Sequence, residues 1–365
     1  MRPSGENLGC DLVLEKYVMH VNDGRVLVFP LTVVLLALIL AVSCAPSTES
    51  APPTGESGQG LAGPVQLRFA TFTEGTGWYG LGASIGELLR PRLPAGSSLD
   101  VLPLAGGVAN PQLLALGKAD FAINFAINTR WAREGRLIYE SPMEELRGLV
   151  GGMDVYNLLP VIRHDLPVQS LADVKDKKMP LRIYTITVGG QSERATRMLL
   201  EAYGMTYQDI EAWGGEVHHT SFDVIKTAFQ DGRADLLVHG TPPGHPSVTE
   251  ISVMSSVKFL SLSEDAIKSL VDTYGMDQTV LPAGSFRGQD QDVHTVGWSV
   301  TLDATSRMPE EVAYLITKTV LEGKDQLGIA HKSLQAFDPT QAARTVGVPL
   351  HAGAERYYRE AGLLD

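Results

Sequence analysis

The chain has 365 residues, a formal net charge of −12 and a pI near 5.2, a balance that argues against nucleic acid and anionic membrane surfaces as electrostatic partners. Its two cysteines, Cys10 and Cys44, both lie near the N-terminus. The body that follows therefore has no disulfide framework, no thiol nucleophile and no cysteine-bound metal.

Residues 26–42, VLVFPLTVVLLALILAV, are apolar and uncharged. A run of about 17 residues is short for a stable span and right for the core of a signal peptide. Ala41-Val42-Ser43 before Cys44 resembles a bacterial lipobox, although Leu is usual at position 41. Glu6, Asp11, Glu15 and Asp23 make a poor positive leader, and a start at Met19 gives a more usual one. The segment APSTESAPPTGESGQGLAGP after Cys44 has tether composition. The expected organisation is a lipoprotein signal peptide over 1–43, a flexible tether over 44–63 and an exported body. A lipid on Cys44 then anchors that body in the periplasm or at the outer face of the cell membrane. An uncleaved anchor helix leaves the body on the same side. No second apolar run approaches 18 residues, so any transport channel must come from other chains.

The body begins with the alternating run Val65–Thr71, then ATFTEGTGWYGLG over residues 70–82, then an amphipathic segment from Leu81 to Leu89. That order predicts a strand, a glycine-rich turn and a helix start. No Lys follows in the Walker position and the spacing is not G-x-G-x-x-G, so a nucleotide reading is poor. The turn carries Thr71, Thr73, Thr76, Trp78 and Tyr79 around glycines 75, 77, 80 and 82. Backbone N–H groups at a helix start suit a small organic anion. An ordinary strand-to-helix turn is the plainer alternative.

The plan then repeats. Arg68-Phe-Ala-Thr71 and its glycine loop are echoed 114 residues later by Arg182-Ile-Tyr-Thr185 and Val188-Gly-Gly-Gln-Ser192. Leu113–Asp120 before FAINF is echoed 115 residues later by Ile225–Asp235 before LLVHG. Each is a helix stopped by Gly and followed by a buried strand. Two α/β lobes follow, lobe 1 from 64–156 with 296–365 and lobe 2 from 157–295. Leu149–Arg163 crosses from one to the other, and Val293–Leu302 crosses back. The last helices start at Met308-Pro309-Glu310, with Pro where a helix start accepts it. Ligands of open α/β sheets bind beyond the carboxyl ends of the strands, where both glycine turns lie.

Candidate ligand-binding residues follow from that geometry. Thr73, Thr76 and Gly77 line the first turn, and Trp78 and Tyr79 offer stacking faces with a polar handle. Packing of these two rings at a helix start is the other reading. Asn110, before Pro111, is either a helix N-cap or a ligand contact. Asn124 in FAINF either braces the strand end or contacts ligand. Gly190, Gln191 and Ser192 precede the second-lobe helix, and His239 ends the strand LLVHG.

Thr71–Gly82 also resembles the first loop, approximately T-G-x-x-G-G-x-Y-Y-P-L-G, of the TAXI-type solute receptors of tripartite ATP-independent periplasmic (TRAP) transporters. Val168–Lys175, Leu199–Gly204, Leu281–Gln289, Asp292–Gly297 and Leu350–Gly362 match the same family in order. The resemblance implies a two-lobed, venus-flytrap fold of periplasmic-binding-protein type II, which passes a small organic anion to TRAP membrane subunits. Glutamate, glutamine and related dicarboxylates are ligands of such proteins. Phe72 and Thr76 stand where Gly is usual, Trp78 replaces the first Tyr, and Gly107-Val-Ala-Asn110 and Gly189-Gly-Gln-Ser-Glu193 each lose a Ser. These changes imply a ligand less polar than glutamate or differently shaped. A sensing module on the same fold, reporting to a signalling partner, is the alternative function.

His218-His219, His239 and His245 lack zinc-ligand spacing, and no G-x-S-x-G elbow is present. Paired acids such as Glu144-Glu145 and Glu310-Glu311 fall at expected helix starts. The sequence therefore points to a monomeric binding protein with no catalytic residues, metal or cofactor.

Overall fold

The computed structural model describes residues 61–365 apart from Gly75 and Ala105. The signal peptide over 1–43, the start at Met19, the lipid site at Cys44 and the tether up to residue 60 lie outside the described residues, as does Gly75 of the first turn. Among the described residues, no helix is long and apolar enough to cross a membrane.

The chain first forms β1 (Gln66–Ala70), α1 (Gly77–Leu89), β2 (Ser98–Leu102), α2 (Asn110–Ala115), β3 (Phe121–Phe125), α3 (Ala126–Glu134) and β4 (Leu146–Val150). It continues with β5 (Val155–Arg163), α4 (Leu171–Asp176), β6 (Arg182–Thr185), α5 (Gln191–Ala202), α6 (Tyr207–Ala212), β7 (Glu216–His219) and α7 (Phe222–Gln230). Then come β8 (Leu236–Thr241), α8 (Pro246–Met254), β9 (Val257–Phe259), α9 (Glu264–Tyr274), β10 (Asp277–Leu281) and β11 (Val293–Thr305). Helices α10 (Glu310–Glu322), α11 (Lys324–Ala330) and α12 (Ala352–Glu360) close the chain.

Two sheets share one pattern. In lobe 1 the order is β2-β1-β3-β11-β4, with the first three strands parallel and β11 antiparallel to both its neighbours. In lobe 2 it is β7-β6-β8-β5-β9, again three parallel strands and an antiparallel fourth. Each fourth strand is the continuation of a crossing segment: β5 leaves lobe 1 to enter the lobe 2 sheet, and β11 returns. The two segments pair with each other at Tyr156–Trp298 and the residues beside them. This is the two-lobed, venus-flytrap α/β architecture that the sequence predicts.

The repeat extends to single bonds. Asp120 accepts from Arg68 N at 2.7 Å, Nε at 3.1 Å and Nη2 at 3.0 Å. Asp235 accepts from Arg182 N at 2.8 Å, Nε at 2.9 Å and Nη2 at 2.7 Å. The preceding helices end in one manner too. Gly117 and Gly232 sit at φ 64° and 66°, and the next residue's N–H returns to Leu113 O or Ala228 O. That left-handed cap aims Asp120 and Asp235 at the first strand of each lobe.

Helices cover both sheets. In lobe 1, Phe69 stacks on Phe121 at 4.1 Å, under Leu81, Ile85 and Leu89 of α1. In lobe 2, α7 and α8 bury Ile225, Phe229, Val248 and Ile251 against Leu159, Val161 and Leu237.

Candidate functional site

Four aromatic rings meet where the crossing segments join the lobes. Trp78 comes from α1, Phe125 from the end of β3, Tyr156 from β5 and Trp298 from β11. Phe125 lies edge-on to Trp78 at 4.6 Å, to Tyr156 at 5.0 Å and to Trp298 at 5.8 Å. Trp78 and Trp298 are buried. Two glycines admit these rings. A Cβ on Gly107 would lie 3.0 Å from Trp78 and 3.1 Å from Phe125, and one on Gly240, near the end of β8, would collide with the Trp298 indole. Rings from lobe 1 and both crossing segments, closed by a lobe 2 glycine, thus form one box.

The first turn joins this cluster through Trp78. Thr76 caps α1, its hydroxyl accepting from Tyr79 N at 3.3 Å and donating to Thr73 O at 2.7 Å. Thr73 and Gly77 are exposed and Tyr79 is half-buried. No acid stands in the first turn of α1, so its N-terminal charge is not neutralised from within.

Two expected asparagines donate within the fold, and the amide oxygen of each is buried without a partner. Asn110 is the first residue of α2, with Ala109 as its N-cap. It is fully buried and donates to Thr71 O at 3.0 Å and Ile123 O at 2.8 Å. It thereby ties the ends of β1 and β3. Asn124 donates to Asp303 Oδ2 at 2.9 Å, an oxygen that also accepts from Thr129 at 2.6 Å and Thr301 at 2.8 Å. Burial pushes the Asp303 carboxyl up to about 7 against these three donors.

The lobe 2 turn is braced by its own chain. In the glycine turn before α5, Gly189 N donates to Glu193 at 3.3 Å and Gly190 N to Thr187 O at 3.1 Å. Glu193, 2% exposed, also accepts from Arg197 Nε at 2.6 Å and lies 3.4 Å from His219. Glu193 thus closes the turn that precedes α5, while the helix itself has no side-chain cap. Ser192 Oγ accepts from Gly240 N at 3.1 Å, joining α5 to the end of β8. Both side-chain polar atoms of Gln191 are buried without a hydrogen-bond partner.

His239 packs against α7 and the start of α8, with Phe222 at 4.6 Å and His245 at 5.3 Å. Burial holds His239 well below the usual histidine range and lowers His245 to about 4. Among the described residues, no group of three or more His, Cys, Asp or Glu is placed to hold a metal. A cavity of about 250 Å³ lies at the N-terminal end of β1, lined by Leu67, Leu114, Met308 and Val312 among others, at the far end of the strands from the glycine turns.

Sequence reasoning missed Phe125, Tyr156 and Trp298. Trp298 lies in a recognised crossing strand, and Phe125 closes FAINF, beside the chosen Asn124.

The NMT1-like family matches residues 69–362. Among solved structures, MatC from Rhodopseudomonas palustris with bound malate is 14% identical, with a TM-score of 0.49 over 82% of this chain and 99% of that one. A TctC solute binding protein from Polaromonas is 13% identical, with a TM-score of 0.45 over 82% of this chain and 96% of that one. The periplasmic aliphatic sulphonate binding protein SsuA from Escherichia coli is 14% identical, with a TM-score of 0.43 over 81% and 83%.

Proposed function

The chain belongs to the NMT1-like family, and from that and the junction of its two lobes we propose that it is an extracytoplasmic solute receptor. It captures a small organic anion, an amino acid or carboxylate, between the lobes and delivers it to TRAP membrane subunits. The observation that carries the reading is the convergence of both lobes on one box. Trp78 at the start of α1, Trp298 of a crossing strand and Gly240 of lobe 2 are in packing register there, with the uncompensated N-terminus of α1 beside them. The TAXI resemblance over residues 64–365, the lipobox at Cys44 and the tether support delivery at a membrane surface.

The rings receive the apolar part of the ligand and the α1 turn its carboxylate, through N–H donors and the helix dipole. Closure about the paired segments near Asp154–Leu159 and Thr295–Ser299 excludes water and strengthens those bonds. With Phe72 and Trp78 in place of smaller residues, the ligand carries a compact or apolar group.

Calorimetry of the purified full-length chain against amino acids, monocarboxylates and dicarboxylates tests this. The expected result is binding of at least one carboxylate, weakened in Trp78→Ala and Tyr79→Ala. Binding of sugars, metals or cationic amines alone overturns it. Labelling with a palmitate analogue, lost in Cys44→Ala, tests the anchor.

A further inference from the structure

We propose that Asp303 and Asn124 form a buried site for a monovalent cation, sodium in the first instance, in the core of lobe 1. The site lies on the face of β3 opposite Phe125 and the aromatic box, and it does not depend on the receptor reading. Asp303 stands in β11 between Ala122 of β3 and Gly148 of β4, and its side chain is fully buried. Thr301, two residues earlier on the same face, is paired with Asn124 across the ladder. The Asp303 Oδ2 accepts three donors, from Asn124 at 2.9 Å, Thr129 at 2.6 Å and Thr301 at 2.8 Å. The Asp303 Oδ1 is buried and accepts none, and the carbonyl oxygen of the touching Asn124 is buried and accepts none either. Among the described residues no charged side chain stands against this acid; burial and the three hydrogen bonds are all that act on its ionisation.

A carboxylate withdrawn from water needs a counter-charge or a proton. Three hydrogen bonds stabilise the charge without cancelling it, and because all three fall on one oxygen the other keeps its lone pairs unused. A cation at that second oxygen accounts for both orphan atoms at once. It meets the carboxylate and the Asn124 carbonyl, oxygen ligands of the kind hard cations take. The hydroxyls of Thr129 and Thr301 spend their protons on Oδ2 and keep lone pairs beside it. These four side chains carry a single negative charge between them, so a monovalent ion neutralises the site, whereas a divalent one leaves a buried positive charge. A bridging water would satisfy both oxygens and leave the charge, and a proton would cancel the charge. Neither gives a response to sodium.

The test is thermal unfolding of the full-length chain and its Asp303→Asn variant at about pH 8, with sodium replaced stepwise by choline at constant ionic strength. Constant ionic strength removes the general screening that a chain of net charge −12 feels in any salt. Sodium at about ten times its dissociation constant is expected to raise the wild-type midpoint by about 2–3 °C. The rise is expected to fade as the pH falls below about 7, where protons compete for the carboxyl. Asp303→Asn keeps an acceptor for the three donors and loses the charge, so its midpoint is expected to be the same in sodium and choline. Line broadening in sodium NMR, expected with the wild-type chain at about pH 8 and reduced at about pH 5.5, gives a reading that needs no variant. Equal wild-type midpoints in sodium and choline, a sodium response that persists in Asp303→Asn, absence of the broadening, or stabilisation by calcium without any by sodium overturns the proposal.

Discussion

The duplicated Arg–Asp clamp provides an internal control for the energetics of this fold. In both lobes an aspartate at the head of the third parallel strand accepts a backbone N–H and a bidentate guanidinium from the head of the first. The bond geometry is the same and the burial is not. The Asp235 side chain is 7% exposed and also receives Arg163 at 3.2 Å, whereas Asp120 is 30% exposed and its Arg68 is 43% exposed. Removing Asp235 leaves the Arg182 N–H without its acceptor and takes one from each of two arginines, which keep Gly232 O and, for Arg163, Asp165; the loss of charge-assisted bonds at a buried carboxylate costs about 3 kcal/mol. Removing Asp120 exposes its partners to water, and solvent screening reduces the loss to about 1 kcal/mol. Urea unfolding of Asp235→Ala and Asp120→Ala, followed by tryptophan fluorescence and far-UV circular dichroism, measures the difference. Equal losses, or a larger one for Asp120→Ala, refute the argument that burial rather than bond count sets the value of the clamp.

Two further outcomes follow from other parts of the molecule. His239 and His245 are held neutral by burial, His245 near 4 against an ordinary 6.5, so the unfolded chain binds more protons between those values. Stability is then complete above pH 6.5 and falls as the pH drops towards 4, His245 alone costing about 2 kcal/mol by pH 5. The raised Asp303 carboxyl has the opposite sign, because its proton favours the folded state between pH 4 and 7. His245→Gln is therefore expected to lose less stability than wild type between pH 6.5 and 5 in urea titrations, and parallel curves would remove the histidine pair from the acid response. At the lobe junction, Arg136, Trp131 and Arg130 donate to Thr273, Tyr274 and Gly275 carbonyls at 2.6, 2.8 and 2.8 Å, gripping the C-terminal, electronegative end of α9 from α3. Removing two charge-assisted bonds, each worth about 1.5 kcal/mol or more, should loosen the lobes. The Arg130→Ala, Arg136→Ala double variant is expected to show a larger radius of gyration in solution scattering, and a profile identical to wild type counts against this latch.

The fold was legible because it is repeated. Arg68 and Arg182, Gly117 and Gly232, and Asp120 and Asp235 recur at nearly constant offsets, and a local pattern of strand, turn and helix survives duplication. What periodicity does not contain is which of these residues meet. The partners in each clamp are over fifty residues apart in sequence, and their pairing depends on β1 and β3, or β6 and β8, lying side by side. The crossing segments were visible as apolar extended runs. That each supplies the fourth strand of the sheet it enters is a property of register, which alternation alone leaves open.

The site was legible on the side where it is local and obscure where it is not. Trp78 and Tyr79 stand out because a glycine turn precedes a helix start, a signal contained in a dozen residues. Phe125, Tyr156 and Trp298 complete the box only because β5 and β11 pair at 156 and 298. Asn110 and Asn124 fit a binding pattern by residue type; in the fold they donate to strand carbonyls and to Asp303, and their amide oxygens are left without a partner. Glu193 and Arg194 show the reverse. They are adjacent in sequence and carry no local signal that separates them. In the fold the acid is taken by Arg197 and a backbone N–H, while the base is left half-buried and unpaired. A side chain's availability is thus decided by what its neighbours have already bound, and that is set by tertiary contacts no local motif records.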